Sequence, residues 1–227
     1  MKIKFFSNLP FIVTSLNISD SANSKIAAKA LQLEAETNSK AISNVGGFHS
    51  EVTNLKDIVD LTTLNEMHTI YENYLNQVFS DVKTIGRHEI EMFCWLNINR
   101  GSNTNTAHEH TPTGSIFSAV YYVEVPSNLE NNDGCFIFED LMYPHPRSEN
   151  NIQQPFYRMP NLRESKNENI EYLKMSNKGL IIFPSSLFHS VAPTNTNDLR
   201  ISLAINIHDP RFANHETLNP RTNPLFI

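Results

Sequence analysis

Two imidazoles stand two residues apart in His108-Glu109-His110, immediately ahead of a strongly strand-like run. If that segment is extended, side chains at i and i+2 share a face, so both histidines could reach one metal while Glu109 points the other way. His189 follows a later apolar strand pattern and could supply a third imidazole. Three ligands on one side of a metal leave the opposite positions open, an arrangement that suits iron(II) with a co-substrate and dioxygen. Beyond His189, Arg200-Ile-Ser202 puts a guanidinium and a hydroxyl on one strand face. The fork of an arginine matches the two oxygens of a terminal carboxylate. Ser202, Ala204 and Asn206 continue that face with small and polar groups, the pattern of a lined cavity rather than a packed core.

The elements that must carry these residues change character along the chain. Residues 3–15 read as one short strand, and Ser19-Asp20-Ser21 offers a cap for a helix through Ile26, Ala27, Ala30, Leu31 and Leu33. The paired glycines of Asn44-Val-Gly-Gly-Phe-His-Ser50 predict a loop. A second helix is expected from about Thr62 to Ser80, where Leu64, Met67, Tyr71, Tyr74, Leu75 and Val78 recur at helical steps. From Ile90 the period becomes two: Met92, Cys94, Leu96 and Ile98 share one face, and Phe93, Trp95 and Asn97 the other. Further strands are expected at Ile116–Val125, Cys135–Phe138, Leu180–Phe183, Ser190–Ala192 and Leu199–Ile207. Short strands with turn-rich links and no intervening helices favour a sandwich or jelly roll. The proline-rich stretch 142–169 reads as a flap over a pocket mouth, with Tyr143, His145, Arg147 and Tyr157 available to a substrate. We expect a single domain over 1–227, with a helical support region at 1–86 and the jelly-roll core at 87–227. His49, His68 and His88 have no partners at ligand spacing and read as structural or solvent-facing.

Composition narrows the functional classes. A net charge of −6, from 24 acidic and 18 basic residues without a basic block, disfavours nucleic acid as a partner. No run approaches the roughly 18 apolar residues of a membrane span. Asn8 and Pro10 interrupt the apolar start, and no small-residue cleavage site follows, which argues against export. Cys94 and Cys135 sit inside apolar strand patterns and read as free buried thiols. The expectation is a soluble cytoplasmic protein of open oligomeric state.

Taken together, Asn44-Val-Gly-Gly-Phe-His-Ser50, Trp95-Leu-Asn97, Ser118-Ala-Val-Tyr-Tyr-Val123, Phe138-Glu-Asp140, Phe183-Pro-Ser185, His189 and Arg200-Ile-Ser202 resemble the iron(II)- and 2-oxoglutarate-dependent dioxygenases, and more narrowly a branch found in bacteria and marine viruses. The resemblance implies a double-stranded β-helix, or jelly roll, braced by N-terminal helices. It implies His108 and His189 as metal ligands, and Arg200 with Ser202 for the far carboxylate of 2-oxoglutarate. Tyr122 is a further co-substrate candidate, with Tyr121 as its alternative. His110 departs from the superfamily's His-x-Asp pattern, so the third ligand is either His110 or a carboxylate such as Asp140. No catalytic side chain is expected beyond the metal centre. The implied cofactor is Fe(II), with 2-oxoglutarate as co-substrate and ascorbate as an optional reductant. The implied reaction hydroxylates a small molecule or peptide with release of succinate and CO2. Two rivals stand beside it: a jelly-roll protein that binds metal or a small anion without turnover, and a three-histidine cupin-type dioxygenase that does not use 2-oxoglutarate.

Overall fold

In this computed structural model, residues 2–7, 9–79, 82–140 and 170–212 are described. The expected flap, with Tyr143, His145, Arg147 and Tyr157, lies outside them. The chain begins as a hairpin of β1 (Ile3–Phe6) and β2 (Leu9–Ser15), not the single strand expected, because Ser7 adopts a left-handed φ of 46° that reverses the chain. Ser19 caps helix α1 (Asp20–Glu36) by accepting from the Ala22 amide at 3.1 Å.

The stretch expected as a loop holds short strands β3 (Asn44–Val45) and β4 (Phe48–His49), followed by β5 (Thr53–Asn54). Gly46 and Gly47, at φ 68° and 66°, turn the chain between β3 and β4, which lie in different sheets. A Cβ on Gly47 would stand 2.6 Å from the Ile98 carbonyl oxygen, so a side chain there would collide with backbone. Asp60 caps helix α2 (Leu61–Val78) through the Thr63 amide at 2.8 Å, and the helix buries Met67, Tyr71, Tyr74 and Leu75.

The remaining strands are β6 (Glu91–Asn99), β7 (Thr104–His108), β8 (Phe117–Glu124), β9 (Phe136–Glu139), β10 (Ile170–Leu173), β11 (Gly179–Pro184), β12 (His189–Val191) and β13 (Arg200–His208). Strand β10 is absent from the expected set; only four residues long, it has no strict alternation of buried and exposed positions to betray it. One sheet runs β1-β2-β11-β8-β13-β6-β4, with β5 also on β6, and the other runs β10-β9-β12-β7-β3. From β6 onward the chain crosses repeatedly between the sheets, the winding of a double-stranded β-helix. The N-terminal region adds β1, β2, β4 and β5 to the first sheet and β3 to the second.

Period-two alternation assigns the two faces of the first sheet. Ile201, Leu203, Ile205 and Ile207 of β13 join Cys94, Leu96 and Ile98 of β6 and Tyr121 and Val123 of β8 in one apolar cluster with both helices. Arg211 fastens that layer: its guanidinium pairs with Glu72 of α2 and with buried Asp209, which also accepts from Tyr71 Oη at 2.9 Å. The opposite face turns inward, where Tyr122, Ile181 and Phe183 meet Phe136 and Phe138 of the second sheet. The positions of β13 left for that interior are Arg200, Ser202, Ala204 and Asn206.

Candidate metal and co-substrate site

Three imidazoles converge between the sheets. Each of His108, His110 and His189 offers a ring nitrogen, and these atoms lie within 4.8 Å of one another. Strand pairing brings two of them together, since His189 on β12 is the registered partner of His108 on β7. The third arrives differently from the extended geometry expected. Strand β7 ends at His108, and His110 sits at φ −118°, ψ 5°, ahead of a 3-10 turn over Thr111–Thr113. Its ring still faces its partners, with centroids 5.1 Å from His108 and 4.9 Å from His189. Glu109 turns back to accept from the Thr111 amide at 2.6 Å. Asp140 is outside the histidine group and accepts from the Ser7 hydroxyl.

In each ring Nδ1 is already engaged: with Thr106 O at 2.7 Å, Asn206 Oδ1 at 2.6 Å and Leu187 O at 2.9 Å for His108, His110 and His189 respectively. All three partners are acceptors, so each Nδ1 carries the proton and each Nε2 is left as a lone-pair donor. Burial lowers the pKa of all three, to about 4 for His110 and well below the usual histidine value for His189. The rings are therefore neutral near pH 7, the form a metal ligand requires. Among the described residues, the buried His110 Nε2 has no hydrogen-bond partner.

Arg200 opens β13 and is 2 % exposed, yet its Nε and Nη2 have no hydrogen-bond partner among the described residues. Its guanidinium carbon stands 5.0 Å from the centroid of the Tyr122 ring. The Tyr122 hydroxyl is also unpartnered, and burial, outweighing the nearby guanidinium, pushes its pKa up to about 12. Ser202 is in register with Tyr122 on one side and Asn97 on the other, and the buried Oδ1 of Asn97 likewise lacks a partner. Tyr121 points to the helix side, where its hydroxyl donates to Asn23 Oδ1 at 2.6 Å. A buried, unpaired guanidinium is costly unless an anion meets it. The interior thus presents lone pairs for a cation beside donors for an anion.

Some neighbours of the site escape sequence reasoning. Of the two expectations for His49, structural or solvent-facing, the structure shows the first, and places the ring near the site: it is buried and stacks on Trp95 at 5.6 Å, and Trp95 lies 5.4 Å from His110. Its place follows from the β4–β6 pairing of His49 with Asn97, a contact with no local signature. Asn206 belonged to the polar line on β13, but nothing in that line marked it as the partner of His110.

Comparison with known proteins agrees with this geometry. A family model described as "Putative 2OG-Fe(II) oxygenase" matches residues 93–206, half of the chain and the stretch that carries the three histidines, Tyr122, Arg200, Ser202 and Asn206. Among solved structures, a Pseudomonas putida prolyl-4-hydroxylase is similar at a TM-score of 0.57 and 13 % identity, over 88 % of this chain and 92 % of that one. A prolyl hydroxylase from Trichoplax adhaerens, solved with a hypoxia inducible factor peptide fragment, has a TM-score of 0.53 and 12 % identity, over 88 % and 83 %. The viral collagen prolyl hydroxylase of Paramecium Bursaria Chlorella virus-1, solved with 2OG, has a TM-score of 0.51 and 9 % identity, over 88 % and 96 %. At these identities the likeness is one of fold. No curated protein matches. The chain belongs to the 2OG-Fe(II) oxygenase family, and it is an oxidoreductase that works with iron(II) and 2-oxoglutarate.

Proposed function

We propose that His108, His110 and His189 hold the iron through Nε2, and that Arg200, Ser202 and Tyr122 receive the far carboxylate of 2-oxoglutarate. The observation that carries this reading is the buried Arg200, two of whose nitrogens have no partner among the described residues and which lies on the interior face of the strand that also brings Asn206 to His110. When bound, iron(II) and 2-oxoglutarate supply oxidative decarboxylation: dioxygen and the 2-oxo acid yield succinate and CO2, and a substrate C–H bond becomes C–OH. Within that chemistry, Arg200 and Tyr122 fix one end of the co-substrate with charge-assisted hydrogen bonds. The imidazoles present three neutral donors, which leaves the metal one unit more positive than two histidines and a carboxylate would. Phe136 and Phe183, packed against His189 at centroid distances of 5.1 and 4.9 Å, give that ring an apolar backing that excludes water.

The substrate is a small molecule or peptide that reaches this interior. Free, buried Cys94 and Cys135 support a reducing, cytoplasmic setting. Among the described residues, no helix is long and apolar enough to cross a membrane. The three neutral donors also suit a dioxygenase that binds its substrate directly, but Arg200 would then be left without a counter-anion.

The test needs no knowledge of the substrate. Anaerobic addition of Fe(II) and 2-oxoglutarate should give a visible charge-transfer band. Admission of air, with and without ascorbate, should then form succinate. Metal binding without the band and without succinate would favour the binding-protein reading.

A further inference from the structure

The Nδ1 partners of the three histidines are of two kinds. His108 and His189 use backbone carbonyls two residues upstream, at Thr106 and Leu187, which almost any sequence would supply. His110 alone depends on a side chain, Asn206.

The far end of that amide is held as well. Asn206 Nδ2 donates to Thr113 Oγ1 at 3.2 Å, and the Thr113 hydroxyl donates to the His110 carbonyl oxygen at 2.7 Å. With its one hydroxyl proton directed to that carbonyl, Thr113 meets Asn206 as an acceptor. In this arrangement the amide nitrogen faces Thr113, the amide oxygen faces His110, and the His110 proton sits on Nδ1. Ser118 Oγ, 3.3 Å away, donates to the same Asn206 oxygen.

Behind Ser118 lies a run of buried hydroxyls. Ser185 Oγ is 2.8 Å from Ser118 Oγ and 2.8 Å from Ser115 Oγ, and the Ser185 carbonyl accepts the His110 amide at 2.8 Å. Strand β8, the end of β11 and strand β13 thus converge on residue 110. An aspartate there, as in the superfamily's pattern, would bring no proton to Asn206 Oδ1. The Asn206 amide and the Thr113 hydroxyl would both have to reorient to keep two acceptor oxygens from facing each other in a buried site.

We propose that Asn206 is a positioning residue which, held by Thr113 and Ser118, fixes His110 as the Nδ1–H tautomer and suits the third metal position to a neutral imidazole. The proposal rests on the three-histidine reading above and goes beyond it in saying which side chain supports an imidazole in place of a carboxylate.

The test is anaerobic titration of the chelator-stripped protein with Co(II), read by the ligand-field bands and the dissociation constant. His110→Ala should lose the wild-type bands. Asn206→Ala should weaken Co(II) binding about 10- to 100-fold, the usual cost of removing a group that orients a ligand, and shift the bands. Asn206→Asp keeps an acceptor toward Nδ1 and should return both toward wild type, whereas His110→Asp should bind no better than Asn206→Ala. Wild-type affinity and bands in Asn206→Ala would overturn the proposal. An unchanged His110→Ala would instead overturn the three-histidine reading. Long-range 1H–15N spectra of the metal-free wild type decide the matter without any variant: a proton on His110 Nδ1 is expected, and one on Nε2 would refute the assignment.

Discussion

His108 and His189 are direct cross-strand partners, and their ring centroids stand 4.3 Å apart. Neither depends on a loop for its place, because the pairing of β7 with β12 sets both. His108 is half-buried, whereas His189 is packed against Phe136 and Phe183, so removal of the two side chains should differ in cost. His108→Ala is expected to keep the melting temperature of the metal-free protein within a few degrees. Its metal affinity should fall by more than the roughly 10- to 100-fold typical of losing an orienting partner. Metal content after dialysis, measured beside thermal unfolding, checks both halves. Retention of stoichiometric iron would remove His108 from the site.

Arg200 should govern the co-substrate rather than the metal. Removing one partner of a buried charged pair costs roughly 2–5 kcal/mol, which is about 30-fold or more in a binding constant. Arg200→Met keeps the apolar stem, and it should raise the apparent KM for 2-oxoglutarate by at least that factor while leaving Co(II) affinity unchanged. In thermal unfolding, 2-oxoglutarate should stabilise the metal-loaded wild type and not the variant. Equal ligand-induced shifts in the two proteins would rule out this role for Arg200.

Tyr121 and Tyr122 are adjacent in sequence and face opposite ways. Tyr122→Phe removes an inward hydroxyl that has no hydrogen-bond partner among the described residues, and it should weaken 2-oxoglutarate binding by about 1 kcal/mol, the scale of one hydrogen bond. Tyr121→Phe removes a bond to Asn23 on the helix side and should lower stability by a similar amount, with no change in the co-substrate constant. Titration of 2-oxoglutarate and urea unfolding of both variants separate the two effects.

Acid should destabilise the metal-free protein well above the carboxylate range. Burial holds His110 down to about 4, so between about pH 6.5 and pH 4 the unfolded chain takes a proton that the folded chain refuses. Stability is then complete above about pH 6.5 and falls as pH drops, by about 1.4 kcal/mol per pH unit for this residue. Because the His108 and His189 values are lowered as well, they add to the slope in the same direction. Unfolding free energies of the chelator-treated protein from pH 7.5 to pH 5 measure this. His110→Gln should flatten the curve, and a slope identical to wild type would exclude His110 as a contributor.

Sequence alone determined the kinds of groups and the order in which they come. Alternation in Ile90–Ile98 and Leu199–Ile207 fixed which side chains share a face, and the polar line Arg200, Ser202, Ala204 and Asn206 was readable as an interior wall for that reason. The two helices were legible because capping and a 3.6-residue period are local properties. Tertiary structure decided everything that depends on pairing. Extended geometry grouped His110 with His108 by a route the chain does not take, since β7 stops at His108 and the ring is brought in by the turn that follows. Only the packing of β8 could choose Tyr122 over Tyr121, because that strand is apolar on both faces. The bonds from Asn206 to His110 and from His49 to Trp95 join residues distant in the chain, and such contacts leave no periodic trace. Residue 110 shows the division most clearly: a histidine where a carboxylate was expected is visible in the sequence, while the ring of hydrogen bonds that suits it to an imidazole exists only in the fold.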